Sequence, residues 1–104
     1  MDSRLQQIQK MLESEPNDSF LNYALALEYA KANEIKLAIE TLEQIIKMEE
    51  NYLAAYYQLG KYYELVNDIS NAISVYQKGI LIAKTQKNTK TLGELNEALM
   101  ILEE

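Results

Sequence analysis

Apolar side chains recur along this chain at the three- and four-residue spacing that places them on one face of a helix. Leu5, Ile8, Met11 and Leu12 make one narrow stripe. Phe20, Tyr23, Leu27 and Ala30 share a second face, and Leu92, Leu95, Leu99 and Leu102 a third. In the run YLAAYYQLGKYYE at 52–64, Tyr52, Leu59, Gly60 and Tyr63 fall within about 60° of Tyr56 when residues advance by about 100°. With one proline and three glycines, too few for many tight turns, the pattern predicts an all-helical chain. Six helices are expected, at approximately 2–14, 19–32, 35–49, 52–66, 69–85 and 91–103. Pro16 marks an early break, with Asp18 or Ser19 as N-cap. Asn33 and Asn67 mark later breaks, since asparagine tolerates the left-handed backbone that ends many helices. Glu34 and Asp68 follow them as acids suited to a helix N-terminus. Thr91 and Glu94 have the spacing of a capping box ahead of the last apolar run.

A shift of 34 residues superimposes the chain on itself. Tyr23 falls on Tyr57, Leu25 on Leu59, Tyr29 on Tyr63, Asn33 on Asn67 and Ile35 on Ile69, followed by Ala38 on Ala72, Ile39 on Ile73 and Ile46 on Ile80. Chance at this composition would give about three identities rather than these. A period of this length is a two-helix repeat unit, and one unit cannot bury its own apolar face. Short connections make neighbouring helices antiparallel, so the units are helical hairpins.

These residues resemble the tetratricopeptide repeat family. The second unit carries Tyr56, Leu59, Gly60, Tyr63, Ala72 and Tyr76 at the family's spacing, and the first carries Leu25, Ala26, Tyr29, Ala38 and Leu42. The resemblance implies a short right-handed α-solenoid of about six helices in a single domain, 1–104. It divides into a half-unit helix at 1–15, repeats at 19–52 and 53–86, and a capping helix at 88–104. Asn22 departs from the pattern, standing where the family has a bulky residue, and its polar atoms need partners. Gly60 costs about 1 kcal/mol against alanine within a helix. It therefore implies a close approach, with Ala72 the small residue expected opposite.

Length and composition narrow the function. A chain of 104 residues with 48% hydrophobic and 25% charged residues is one ordinary folded domain. It has no cysteine and no histidine, which removes disulfides, thiol nucleophiles, Cys/His zinc sites and imidazole catalysis. The N-terminal residues lack a signal-peptide core and no run suits a membrane span, so a cytoplasmic protein is expected. Paired acids such as Glu13/Glu15, Glu49/Glu50 and Glu103/Glu104 sit among polar residues at helix ends, without the apolar setting that tunes a catalytic carboxyl. No phosphate loop or calcium loop is present. The expectation is a non-enzyme with no cofactor and no metal. A net charge of −6 argues against nucleic acid and anionic membrane. Between Ile69 and Gly93 lie Lys78, Lys84, Lys87 and Lys90 without an acid, either as cations favoured near a helix end or as a patch for an acidic partner.

What remains is recognition. Tyr57 lies about 100° round from Tyr56, beside Lys61 and Glu64, on the edge that the resemblance assigns to the concave surface. Its repeat-mate Tyr23 sits with Phe20 and Leu27. That apolar stripe reads as a peptide groove, a self-association surface, or a face covered by the terminal helices. The expected groove residues are Phe20, Tyr23, Leu27, Tyr57, Lys61 and Glu64. The carboxylate-clamping mode known in the family needs lysine and asparagine, where this chain has Tyr23, Leu27 and Gln58, so an apolar partner segment is expected instead. Met100 and Ile101 lie on the outward side of a helix that is apolar all round, and exposed apolar positions on an end helix suggest a homodimer. The first reading is a scaffold-like interaction module for an unidentified protein or peptide; the alternative is a self-assembling structural protein.

Overall fold

The computed structural model describes residues 3–104. Six helices and no strand occur among them: α1 Arg4–Ser14, α2 Ser19–Lys31, α3 Ile35–Met48, α4 Leu53–Leu65, α5 Ile69–Gln86 and α6 Thr89–Leu102. The expected class, all-α and built of helical hairpins, is the class observed. Two compact units form, the first ending at Tyr52 and the second spanning Leu53–Glu104.

The helix boundaries follow from local chemistry. Ser3 caps α1 by a reciprocal box: its Oγ accepts from the Gln6 N–H at 3.1 Å, and its own N–H donates to Gln6 Oε1 at 3.0 Å. The helix therefore starts at Arg4; residue 2, where the expected helix began, lies outside the described residues. Asp18 caps α2 by accepting from the Leu21 N–H at 2.8 Å. Asn22, whose amide needed partners, donates to the carbonyls of Pro16 and Asp18. It thus ties the entry turn to the helix.

Three helices end in one motif. Asn33 and Asn67 both have φ 63°, and Lys87 has φ 57°. After each, the next N–H reaches back to a carbonyl five residues earlier: Glu34 to Tyr29, Asp68 to Tyr63, Asn88 to Ala83. This is the Schellman closure, which satisfies carbonyls the helix leaves over. The expected capping box at Thr91 is corrected: α6 begins at Thr89, and Asn88 caps it by accepting from the Thr91 N–H at 3.1 Å. Asparagine immediately after a left-handed lysine closes one helix and opens the next.

In the first unit α2 packs on α3 and α1 on α2, burying Ile8, Leu25, Ala26, Ala38, Leu42 and Ile45. Arg4 and Lys31 both approach Glu28, at 3.6 and 3.4 Å. Exposed as these cations are, such pairs contribute little. In the second unit α5 packs on both α4 and α6. Tyr56, Leu59, Tyr76 and Leu95 are almost wholly buried there, each contributing on the order of 1.5–3 kcal/mol by burial.

The close approach expected at Gly60 is real, but its partner is Tyr76 rather than Ala72. The Cδ1–Cε1–Cζ side of that ring occupies the space a Cβ would need. Gly79 does the same for the Tyr56 Cβ and for Leu95, at 3.0 and 3.1 Å from where its own Cβ would lie. Tyr52 also departs from the wheel. It precedes α4, so helical periodicity does not place it; its ring lies on Tyr23, centroids 5.8 Å apart.

Candidate functional site

In the second unit, the side of α4 that carries Tyr57 and Lys61 faces Glu94, Glu97, Ala98 and Ile101 of α6 across a depression of about 200 Å³. Core packing fixes this arrangement from below. Tyr76 rises from α5 against Gly60, meets the Tyr57 ring at a centroid distance of 6.4 Å, and donates its hydroxyl proton to Glu64 Oε2 at 2.5 Å. Burial first, then the Glu64 hydrogen bond and charge, push the Tyr76 phenol well above its ordinary value. Tyr76 is therefore a neutral donor that holds Glu64 and backs Tyr57. Above, the Lys61 ammonium stands 5.4 Å from the Tyr57 ring centroid, within cation–π range. Ala98 is buried at the base, while Ile101 is 59% exposed.

The residues expected to form a groove sort differently in space. Tyr57 and Lys61 come together at the α6 depression. Glu64 is engaged by Tyr76 and acts as a support for the tyrosine pair. In the first unit Tyr23 is half-buried against Tyr52, and Leu27 is half-buried. Burial pushes the Tyr52 phenol up, with the neighbouring Tyr23, Glu49 and Asp18 adding to the effect. Phe20 is 70% exposed and borders a different hollow of about 410 Å³ with Met11, Ser14, Glu15, Asp18 and Leu21. The stripe is thus one exposed phenylalanine beside two packed residues.

Met100 and Ile101 likewise part company, because neighbours on a helix point about 100° apart. Ile101 joins Tyr57, whereas Met100 borders a separate depression with Asn96, Leu99, Glu103 and Glu104. Sequence reasoning missed Glu94, Glu97 and Ala98 as neighbours of Tyr57. The signal was present in their i, i+3, i+4 and i+7 spacing with Ile101, which marks one face of α6.

Among the described residues no cluster of three potential metal ligands occurs, and no helix is long and apolar enough to cross a membrane.

A family model described as tetratricopeptide repeat matches residues 1–80. The uncharacterized protein ycf37 of Porphyra purpurea is 36% identical over 84 residues, covering 78% of this chain and 49% of that protein, so the chain spans about half its length. The crystal structure of a tetratricopeptide repeat domain protein from Salinibacter ruber superimposes with a TM-score of 0.79 at 35% identity, over 83% of this chain and 97% of that one. The TPR2B domain of yeast Sti1, solved as a complex with pHsp70, shares the fold with a TM-score of 0.88 at 16% identity, over 95% of this chain and 79% of that one. Hairpin spacing, the glycine–tyrosine contact and these matches agree: the chain belongs to the tetratricopeptide repeat family.

Proposed function

We propose that the chain is a non-catalytic module that docks a peptide or helix of a protein partner on the face carrying Tyr57 and Lys61. The observation that carries this reading is the depression between α4 and α6, where an aromatic ring, a cation and the exposed Ile101 converge over a rigid base. Aromatic and aliphatic groups held in place by packing are good anchors, because little side-chain entropy is lost when they bind. Family members are typically interaction modules, and the yeast neighbour's complex with pHsp70 is in keeping with such a role. Within the first unit, the exposed Phe20 is a separate contact position in this reading.

The test uses peptides selected on the immobilised chain from a random display library. Tyr57→Ala combined with Ile101→Ser is expected to weaken the selected peptides at least tenfold while circular dichroism keeps its helical signal. Unchanged affinity in the folded double variant would place docking elsewhere.

A second reading, self-association, is favoured by Met100, which is 62% exposed on a depression of about 490 Å³ separate from the Tyr57 face. Sedimentation velocity across micromolar concentrations decides it. A concentration-dependent shift abolished by Met100→Ser supports the dimer, and a constant monomer removes it.

A further inference from the structure

The six carboxylates of the second unit are Glu64, Asp68, Glu94, Glu97, Glu103 and Glu104. Four have a placement of their own. Glu64 accepts the Tyr76 hydroxyl, and Asp68 caps α5 through the Asn71 N–H. Glu103 and Glu104 border the Met100 depression at the chain end. Glu94 and Glu97 instead line the wall of the Tyr57 depression, one turn apart on α6. Opposite them stands one cation, Lys61, already drawn toward the Tyr57 ring. The rest of the lining is apolar or aromatic: Tyr57, Ala98 and Ile101.

We infer that this depression is an anchor site for a basic side chain, arginine or lysine, of the docked peptide. The inference rests on the docking reading above and names the chemistry of its ligand. Two carboxylates against one ammonium leave the lining one negative charge in excess, so an acidic side chain entering it meets net repulsion. A purely apolar side chain would strip water from Glu94 and Glu97 without replacing their hydrogen bonds. A long aliphatic stem ending in a cation satisfies both parts of the lining. The stem lies along Ala98 and Ile101, and the head reaches the carboxylates. Arginine fits best, since its planar fork of donors can serve two carboxylates at once. Lys61 holds the Tyr57 face, which directs the incoming head to the α6 wall and leaves the Lys61 N–H groups for a peptide carbonyl.

Three acetylated, amidated peptides test this, sharing one leucine-, alanine- and serine-based sequence and differing at a single central residue: arginine, citrulline or glutamate. Binding is followed through the backbone amide signals of Tyr57, Ala98 and Ile101. The arginine peptide is expected to bind about fivefold more tightly than its neutral citrulline counterpart, with the glutamate peptide weakest. Glu94→Gln with Glu97→Gln, both exposed positions, brings arginine and citrulline within about twofold of each other while the helical signal persists. Added salt erodes the arginine preference and leaves citrulline binding in place. Equal affinity for arginine and citrulline, with those amides still shifting, overturns the basic anchor and leaves docking standing. If none of the three peptides moves those amides, docking at this face falls as well. If dilution of the free chain alone moves them, a second copy fills the site and the anchor is overturned.

Discussion

Gly60→Ala puts the contact at the heart of the second unit to a direct test. A methyl at this position would come within 2.7 Å of Tyr76 Cδ1 and closer still to Cε1 and Cζ. Nothing in the ring can yield independently, because Tyr76 is fully buried and its hydroxyl is held by Glu64. The ring must shift as a body or α4 must move off α5. Overpacking of this kind costs about 1–3 kcal/mol, and release of a hydrogen bond to a charged acceptor adds about 1.5 kcal/mol. Alanine returns about 1 kcal/mol of helix propensity. The net expectation is a loss of about 1.5–3.5 kcal/mol, or roughly 6 °C or more in Tm for a domain of this size. Gly93→Ala supplies the control, since a methyl there meets nothing within 4 Å; it should stabilise by about 0.5–1 kcal/mol through propensity alone. Urea unfolding of both variants, at unchanged m-value, reads the two free energies. If Gly60→Ala is neutral or stabilising like Gly93→Ala, the ring does not rest on the glycine and the account of the Tyr76–Tyr57 support is wrong.

Other consequences follow from the same geometry. Tyr76→Phe removes the donor to Glu64 without changing ring shape, and should cost about 1–2 kcal/mol in urea unfolding. Because burial and Glu64 raise the Tyr76 phenol above 10.0, the folded chain keeps this proton after an unfolded chain has lost it. That contribution to stability is complete below about pH 10 and is lost as pH rises above it. Ultraviolet titration should accordingly show a phenol that resists ionisation as pH rises above 10, and Tyr76→Phe should remove that late step. Lys87→Gly relieves a left-handed backbone held by a residue with a Cβ, and should raise stability by about 0.5–1 kcal/mol in thermal unfolding. Loss of stability there would mean that the lysine side chain makes a contact of greater weight.

The repeat and its hairpins were legible because they rest on local rules. Asn33 and Asn67 announced their left-handed turns by residue type, and Asp18 announced its cap. Lys87 was silent, because lysine rarely adopts that backbone and only Asn88 beside it carries the cap. Glycine at position 60 signalled a close approach, but not to what. Small residues invite a large neighbour as readily as another small one, and the choice of Tyr76 over Ala72 is made by how two helices meet. The site was legible in part for the same reason. Periodicity placed Tyr57 and Lys61 on one edge of α4, whereas their opposition to Glu94, Glu97 and Ile101 depends on the packing of α6 beside α5. A helical wheel also carries no information on whether a neighbour already occupies a side chain, as Tyr76 does Glu64 and Tyr52 does Tyr23.

The central claim, that a partner docks on the Tyr57 face, is tested most directly by site-specific photo-cross-linking. A benzophenone amino acid is placed at Ile101 in one sample and at Leu81, on the outer side of α5, in another. These positions are 59% and 65% exposed, so reach alone does not distinguish them. With a display-selected peptide bound, the account predicts a cross-link from position 101 and none from position 81. Cross-linking from position 81 alone would contradict it.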